Sequence, residues 1–307
     1  MGIAVFGAVF VDIKGYPSAQ YIPGGRNAGR VVHVHGGVSR NVAEDIANIE
    51  LRPSFISVVD ESGIGTDVIE NLRKHQVNVN HIRKVPGGLG TWLAIFDNSG
   101  DVVASISNRP DISEISSILD EEGDEIFREA DSIAVEMDME VPILKKIFAL
   151  AEKYNKEVYG VISNMSIAME RRDLLRNISC IVCNEQEAEL LFSENYNGKS
   201  MEELREIIRM RVDQAEIPRM VVTSGERGAV FAEYGGECGI CPSATVSVID
   251  TTGAGDAFFA GVAAGLTYGK TLSEACRIGT RLAASVIATK DSVCPRFLPG
   301  EFGITVN

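Results

Sequence analysis

The sequence predicts an α/β fold with a mostly parallel central sheet and a small β-sheet lid. Along the chain, apolar strand-like runs alternate with helical patterns, which is typical of parallel strands joined by crossover helices. Two strand-rich pieces, about 14–35 and 85–108, interrupt this alternation. We therefore expect one domain over residues 1–307, in which these pieces form a lid over the sheet edge where ligands bind.

Apolar periodicity assigns the elements of the N-terminal half. Residues 3–10 are an apolar run that predicts the first strand, and Gly36-Gly37 precede a helical pattern. The elements predicted next are helix Val38–Ile49, strand Phe55–Val59, helix Gly65–His75, and a hairpin of residues 90–96 and 102–107 around the turn Asn98-Ser99-Gly100-Asp101.

The C-terminal half continues the alternation of strands and helices. Strands are predicted at Ser132–Val135, Val158–Ile162, Ile178–Cys183 and Met220–Thr223, and helices at Pro142–Tyr154, Glu185–Phe192 and Met201–Gln214. The last two helices, Ala257–Leu266 and Leu272–Thr289, are rich in Ala and are expected to be buried.

The net charge and the hydrophobic content of the chain limit the kinds of molecule that it could bind. The chain of 307 residues is 45% hydrophobic and carries a formal net charge of -14. Nucleic acids and anionic membranes are unsuitable partners for such a chain, because their phosphates require a basic surface. The most apolar stretch, Ala257–Leu266, is too short to span a bilayer. We expect a cytoplasmic enzyme that acts on small molecules.

Six cysteines include two pairs with the spacing of a zinc site. Cys180 and Cys183 fall in a predicted strand, where positions three apart point to opposite faces. Cys238 and Cys241 could lie in a turn, but they would need further ligands. Reduced, buried thiols are therefore the favoured interpretation, with zinc as the alternative.

The segment from Asp250 to Phe258 combines a Gly-rich turn with the start of a predicted helix. Backbone N–H groups in such a turn, together with the positive end of the helix, form a site for an anion. Asp256 stands where it could take a proton from an attacking hydroxyl. An anion site beside a base is what phosphoryl transfer requires, whereas the alternative is a Gly-rich turn that serves only packing.

A second Gly-rich segment begins the helix predicted at residue 38. Gly36 and Gly37 allow the backbone to approach a ligand, and the Asn41 amide offers both a donor and an acceptor to a sugar hydroxyl. Asp12, placed after the first strand, could accept hydrogen bonds from vicinal hydroxyls. The alternatives are a plain loop-to-helix junction for the first group and a solvated loop acid for Asp12.

These motifs resemble those of the ribokinase-like (PfkB) family of sugar and nucleoside kinases. DTTGAGDAFFAGV at residues 250–262 matches the C-terminal signature of that family, and the Gly36–Asn41 segment resembles its N-terminal signature. The resemblance implies a three-layer α/β/α ribokinase-like fold whose lids often pair in a homodimer. It also implies that Asp256 is the general base, and that the amides around Gly253, Ala254 and Gly255 hold the transferred phosphoryl group.

The same resemblance implies two sets of binding residues. The acceptor would be held by Asp12, Gly36, Gly37, Asn41 and Asp138, with Glu136 as a competitor for the place of Asp138. ATP would be held by Thr223, Gly225, Gly228 and Asn184.

The resemblance also implies two cation sites. Asn184 and Glu187 would position Mg²⁺ through water, although the same two residues could simply cap a helix. Asp250 could hold a monovalent cation such as K⁺, or it could only order its turn.

The sequence indicates the family more clearly than it indicates the molecule that accepts the phosphoryl group. Asn27-Ala28-Gly29 and the Gly36–Asn41 segment look most like the pseudouridine kinase branch, although Ala28 and Val161-Ile162 depart from its usual pattern. We expect an ATP- and Mg²⁺-dependent kinase that phosphorylates a primary hydroxyl of a nucleoside, with ribose or another sugar open. A catalytically silent sensor on the same fold is the alternative. A dinucleotide-dependent dehydrogenase is disfavoured because Phe258 occupies its third Gly position.

Overall fold

The computed structural model describes residues 2–99, 102–162 and 174–305. Within these ranges, nine strands form a large sheet in the order β13-β12-β11-β10-β9-β8-β1-β4-β5. The strands are β1 Ala4–Phe6, β4 Ser54–Val59, β5 Ile82–Lys84, β8 Ile133–Glu136, β9 Val158–Val161, β10 Cys180–Asn184, β11 Arg219–Thr223, β12 Ala229–Glu233 and β13 Cys238–Cys241. The pairs from β5 to β11 are parallel, and β12 and β13 add an antiparallel edge.

Four further strands form a separate small sheet in the order β3-β2-β6-β7. They are β2 Phe10–Pro17, β3 Gly29–Gly36, β6 Gly90–Phe96 and β7 Val102–Asn108. These strands come from the two pieces of the chain that were predicted to form a lid. The predicted turn between β6 and β7 includes Gly100 and Asp101, which lie outside the described residues.

Helices cover both faces of the large sheet. They are α1 Val38–Asn48, α2 Gly63–Lys74, α3 Ile115–Glu129, α4 Val141–Tyr154, α5 Glu185–Phe192, α6 Met201–Ala215, α7 Ala254–Thr267 and α8 Leu272–Ile287. Alternate residues of β1 belong to two separate hydrophobic clusters: Phe6 packs with residues of α3, α4 and α6, whereas Val5 packs with residues of α1, α2, α7 and α8. The expected three-layer α/β/α architecture is therefore confirmed.

The predicted extent of the first strand was wrong. Residues 3–10 do not form one strand, because the chain leaves the large sheet after Phe6 and enters the small sheet at Phe10. Close packing at Gly7 marks the break: a Cβ there would lie 2.0 Å from Ser39 Oγ and 2.4 Å from Glu136 Oε2. Asp12 accordingly lies within β2 and not at the end of a central strand.

Two helices also differ from prediction. Helix α3 was not predicted, although Ile115, Ile118 and Leu119 give it a buried stripe at helical spacing. Helix α7 begins at Ala254, three residues before the predicted start, because Gly253 in the left-handed conformation serves as its N-cap. Asp256 therefore lies in the first turn of α7.

The cysteine pairs lie on strands. Cys180 and Cys183 of β10 belong to different hydrophobic clusters on opposite faces of the sheet, as predicted. Cys238 and Cys241 do not form a turn: they lie on β13, which pairs with β12, and they also contact different clusters. Each pair is thus divided by the sheet. In the described part of the chain, no three His, Cys, Asp or Glu side chains could hold a metal ion.

Among the described helices, none is both long and apolar enough to cross a membrane.

Helices α7 and α8 cross at a contact between two glycines. A Cβ on Gly261 would lie 2.6 Å from Gly279 Cα, which is closer than real Cβ contacts allow. We predict that Gly261→Ala lowers the free energy of unfolding by about 2 kcal/mol or more, because overpacking forces the helices apart. Urea denaturation measures this change.

Gly63→Ala is the matched control, because a Cβ on Gly63, in the first turn of α2, would meet no atom within 4 Å. We expect it to change stability by less than about 1 kcal/mol. Equal losses in the two variants would contradict the proposed close contact.

Candidate active site

Two glycines shape the junction between β3 and α1. Gly37 is the N-cap of α1 with φ 98°, a left-handed conformation that favours glycine. A Cβ on Gly36 would lie 2.7 Å from Asp12 Oδ1, so the absence of a side chain lets the Asp12 carboxylate lie against this backbone. The junction thereby brings Asp12 of β2 beside the first turn of α1, where Asn41 lies.

A second glycine turn leads into α7. Gly253 has φ 83°, and a Cβ there would lie 1.9 Å from the carbonyl oxygen of Ser292. Within the described chain, the amides of Gly253 and Gly255 have no hydrogen-bond partner, whereas that of Ala254 donates to Thr251 O at 3.2 Å. Two of the three predicted amides are thus available to an anion at the N-terminus of α7.

The carboxylate of Asp256 is held by the amide of Asn41. Asn41 Nδ2 donates to Asp256 Oδ2 over 2.6 Å, and this bond links α1 to α7. Burial raises the pKa of Asp256 to about 6, against the hydrogen bond from Asn41 and the charge of Arg40, which both lower it. A carboxyl group with this pKa is largely ionised at neutral pH and is still basic enough to accept a proton.

The first of two cavities at this site has a volume of about 550 Å³. Its lining includes one complete row across the small sheet, in which Val34, Asp12, Trp92 and Ser107 are paired in register. The other lining residues are Phe10, Lys14, His35, Gly36, Gly37, Val38, Asn41, Arg109, Glu136, Thr252, Gly253, Asp256 and Ser292. The cavity therefore combines a base, hydroxyl-binding groups and aromatic rings.

Asp12 lies in this cavity with its pKa raised by burial, while the charges of Lys14 and Arg40 act in the opposite direction. Lys14 Nζ lies 3.9 Å from Asp12 Oδ2. Two oppositely charged groups on the same strand thus face the cavity, with hydrogen-bonding capacity of both kinds.

The second cavity, of about 680 Å³, lies on the other side of the 251–256 turn. It contains the predicted nucleotide residues Thr223, Gly225 and Gly228. Its remaining lining residues are Glu226, Ser243, Ala244, Thr245, Val246, Val248, Thr251, Ala254, Gly255, Phe258, Thr280, Ala283, Ala284 and Ile287. This mainly apolar lining, with a few polar groups, suits the flat ring of a nucleotide base.

One short turn is common to both cavities. Thr252, Gly253 and Asp256 line the first cavity, and Thr251, Ala254 and Gly255 line the second. An anion at this turn would therefore be reachable from either side. This arrangement can bring a donor and an acceptor together from opposite directions, as in-line transfer requires.

Asp138 does not line the first cavity. Its buried side chain is ion-paired to Arg109, with 2.9 Å between Oδ2 and Nη2, and Arg109 lines the cavity in its place. Glu136, the competing candidate, does line it, and its Oε2 accepts hydrogen bonds from Ala8 N and Ser39 Oγ, each at 3.0 Å.

Asn184 and Glu187 form a reciprocal cap at the start of α5. Asn184 N donates to Glu187 Oε2 at 2.8 Å, and Glu187 N donates to Asn184 Oδ1 at 2.9 Å. Neither residue lines the two cavities. Burial and the nearby charge of Asp138 raise the pKa of Glu187, and Glu187 in turn raises that of Asp256.

These contacts fit a Mg²⁺ ion held through water. Because Asn184 Oδ1 and Glu187 Oε2 each already accept a backbone N–H, these two atoms are better suited to accept a hydrogen bond from metal-bound water than to coordinate directly. A cation would also relieve the repulsion among Glu187, Asp138 and Asp256.

Asp250 orders the turn that precedes the anion site. Its Oδ1 accepts a hydrogen bond from Thr252 N at 2.9 Å. The alternative structural role that the sequence left open for Asp250 is therefore present in the structure, and it leaves the second carboxylate oxygen for a cation.

Several cavity residues were not predicted from the sequence. Lys14, Trp92 and Ser107 reach the cavity only because the small sheet folds over α1, and Arg109 because it follows β7. Period-2 alternation in β2, β6 and β7 could have indicated one shared face, but the pairing of these strands could not be read from the sequence.

The chain matches the model of the pfkB family carbohydrate kinases over residues 2–295. It is 34% identical over 301 residues to a guanosine-inosine kinase from Exiguobacterium acetylicum, which covers 96% of this chain and 98% of that protein. It is also 25% identical over 276 residues to a pseudouridine kinase from Escherichia coli, covering 90% of this chain and 87% of that protein.

A solved structure of Arabidopsis thaliana ribokinase, complexed with ribose and ATP, has a similar fold. The TM-score is 0.83 at 19% identity, over 98% of this chain and 97% of that chain. At this identity the likeness shows the fold alone, and it confirms the predicted ribokinase-like fold.

The raised pKa of Asp256 predicts that this carboxyl destabilises the protein at neutral pH. Because its folded pKa of about 6 lies above the ordinary value, the folded state binds more protons between about pH 4 and pH 6. Stability contributed by the neutral form is therefore lost as pH rises through this window. We predict that Asp256→Asn stabilises the protein by about 1–3 kcal/mol at pH 7.5 and by almost nothing at pH 4.

Urea denaturation at the two pH values measures this difference. The introduced amide oxygen can still accept the hydrogen bond from Asn41, so the Asn41 donor keeps its partner. Glu129→Gln, on the exposed face of α3, removes the same charge and serves as the control. A stabilisation of equal size at both pH values, or a loss of stability at pH 7.5, would refute the assigned cause.

Proposed function

The chain belongs to the pfkB family of carbohydrate kinases, and from this premise we propose that it transfers the γ-phosphoryl group of ATP to the primary 5′-hydroxyl of a nucleoside. The observation that carries the proposal is the 251–256 turn shared by two cavities, with Asp256 on one side and Gly255 on the other. We assign the first cavity to the acceptor and the second to ATP. Because the reaction draws on ATP, we place it in the cytoplasm.

A nucleoside suits the acceptor cavity better than a free sugar does. Trp92 and Phe10 supply aromatic surface for a base, and Lys14 and Arg109 supply donors for its carbonyl oxygens and ring nitrogens. The 34% identity to a guanosine-inosine kinase supports a purine nucleoside with an oxygen at C6. Pseudouridine, which the N-terminal motif and a second relative support, is the next candidate.

In the proposed reaction, Asp256 accepts the proton of the 5′-hydroxyl while that oxygen attacks the γ-phosphorus. The new P–O bond forms as the bond to the bridging oxygen of ADP breaks, so that the products are the nucleoside 5′-monophosphate and ADP. The amides of Gly253 and Gly255, at the N-terminus of α7, stabilise the charge on the transferred group. Asp12, Gly36, Gly37 and Asn41 orient the ribose, with Glu136 and the Arg109–Asp138 pair alongside.

Thr223, Gly225 and Gly228 contact ATP, and the apolar wall of the second cavity accepts its adenine. We assign Mg²⁺ to Asn184 and Glu187, through water; when bound, it neutralises charge on the phosphates. Asp250 is the proposed ligand for K⁺.

Residues 1–307 would act as one kinase domain, in which the small sheet is a lid that excludes water from the acceptor.

Exposed apolar residues on the outer face of the small sheet favour the proposal that the protein forms a homodimer. The row behind the cavity pairs Ile13, Leu93 and Ile106, and Leu93 and Ile106 are 37% and 69% exposed. Val31 on the edge strand β3 is 64% exposed. An apolar sheet face with two open edges is normally covered, and a second copy of the same sheet would match it in size and character.

We predict that guanosine or inosine is phosphorylated with a kcat/KM at least about 100-fold higher than that of ribose, because only a nucleoside base can use the Trp92 side of the cavity. The assay follows ADP release from ATP and Mg²⁺ with guanosine, inosine, pseudouridine and ribose, and it identifies the product as a 5′-monophosphate. Preference for ribose would refute the nucleoside proposal and leave the kinase assignment intact.

Asp256→Asn is the control for the chemistry, since it should remain folded but lose about 10²–10⁴-fold in kcat. Undiminished turnover in this variant would refute the assignment of Asp256 as the base, whichever acceptor is used.

We predict that the protein sediments as a dimer of its 33.1 kDa chain and that Ile106→Asp converts it to a monomer. The added carboxylate would be buried without a partner at the proposed interface. Sedimentation equilibrium distinguishes the two states. Met210→Asp, at a 51% exposed position on α6, is the matched control and should leave the dimer intact. A monomeric parent protein would contradict the proposed lid pairing.

A further inference from the structure

Arg40 is a buried arginine beside the proposed base that the sequence motifs did not assign. It follows Gly36-Gly37-Val38-Ser39 in the first turn of α1, immediately before Asn41. Only 3% of Arg40 is exposed. A cation buried to this extent requires several polar partners, and these partners suggest its purpose.

The guanidinium of Arg40 joins three parts of the site. Its Nη1 donates to Glu44 Oε2 at 2.6 Å, one turn further along α1. Its Nη2 donates to the side-chain Oδ1 of Asn41 and to the backbone carbonyl of His35 at the end of the lid strand β3. Glu44, which is itself buried, thus anchors Arg40, and Arg40 in turn contacts the Asn41 amide.

The contact with Arg40 determines which way the Asn41 amide faces. An amide group has one acceptor end and one donor end, whereas a guanidinium has only donors. Oδ1 must therefore face Arg40, which leaves the Nδ2 hydrogens for Asp256 Oδ2 at 2.6 Å. In the reversed orientation, donor would face donor at Arg40 and oxygen would face oxygen at Asp256.

We propose that Arg40 is a positioning residue for phosphoryl transfer: anchored by Glu44, it fixes the Asn41 amide so that one oxygen of Asp256 is bound and the other faces the acceptor hydroxyl. This inference rests on the proposed function, because it takes Asp256 as the base. Arg40 acts through Asn41, since it does not itself line the acceptor cavity or the ATP cavity.

Arg40 also contributes its charge. Its guanidinium lowers the pKa of Asp256, whereas burial and the carboxylates of Asp12 and Glu187 raise it. Asp45, fully buried on α1, also interacts with Asp256. Removing the positive charge should therefore move the acidic limb of the pH–kcat profile to higher pH, because a larger fraction of Asp256 would be protonated at a given pH.

Two variants separate the effect of Arg40 on the orientation of the Asn41 amide from the effect of its positive charge. Arg40→Lys keeps the charge but loses the planar group that reaches Glu44, Asn41 and His35 together. The double variant Arg40→Met with Glu44→Met removes both members of the buried ion pair, so that neither charge is left unpaired. The double variant Arg73→Met with Glu70→Met, at exposed positions on α2, is the control for loss of one positive and one negative charge.

The kinetic test measures kcat and KM with the best nucleoside, from pH 5 to pH 9, for variants that thermal unfolding shows to be folded. We expect Arg40→Lys to lose about 10-fold in kcat with an unmoved acidic limb, and the double variant about 100-fold with the limb at higher pH. KM for ATP should stay within about twofold in both, because Arg40 does not line the ATP cavity. A purely structural role would lower the melting temperature and leave kcat unchanged, and that result would overturn the proposal.

A titration that needs no turnover distinguishes failure of this inference from failure of the proposed function. The ¹³C carboxyl signal of Asp256, assigned by its loss in Asp256→Asn, is followed against pH in the free protein. We expect the parent and Arg40→Lys to share one midpoint, and the double variant to titrate at higher pH. A common midpoint for all three would overturn the inference even if nucleoside phosphorylation is found. A higher titration midpoint of Asp256 in the double variant alone would support the inference even if no tested nucleoside is phosphorylated.

Discussion

The site depends on one hydrogen bond, from Asn41 Nδ2 to Asp256 Oδ2 over 2.6 Å. It joins the first turns of α1 and α7, which reach the same edge of the large sheet from distant parts of the chain. An ionised carboxylate without this donor would be buried against Asp12, Glu187 and Asp45 with much less compensation. Both glycine turns serve this contact: Gly36 lets the start of α1 lie beside Asp12, and Gly253 lets α7 begin against Ser292.

The proposed function and the stability of the fold make opposite demands on the environment of Asp256. A base that works near neutral pH must be desolvated enough to hold a raised pKa, yet hydrogen-bonded enough to remain ionised for part of the time. Burial of Asp256 supplies the first condition, and Asn41 and Arg40 supply the second. Under the proposed function, the folded protein carries the cost of a buried charge whose benefit appears only when a hydroxyl enters the cavity.

The sequence predicted the layers, and it predicted most of the residues that meet at the candidate site, because both depend on local patterns. The strand and helix alternation indicated the parallel sheet, and the two glycine motifs indicated that Asp256, Asn41 and the 253–255 turn would come together, whereas their roles stay predictions. It did not predict where Asp12 lies, because the break at Gly7 comes from packing against Ser39 and Glu136 of distant elements. The place of Trp92 in the cavity depends on cross-strand register, which spacing does not encode. The Arg40–Glu44 pair has the i,i+4 spacing that the sequence shows, but the contact of Arg40 with Asn41 depends on side-chain direction.

In the proposed function, the 251–256 turn lies between a phosphoryl donor and an acceptor hydroxyl. A crystal structure with guanosine and a non-hydrolysable ATP analogue tests it most directly. We expect the γ-phosphate within hydrogen-bond distance of the Gly253 and Gly255 amides, and the 5′-hydroxyl within hydrogen-bond distance of Asp256, with the base beside Trp92. A nucleoside whose 5′-hydroxyl lies away from Asp256, or an analogue whose phosphates do not reach the turn, would contradict the claim.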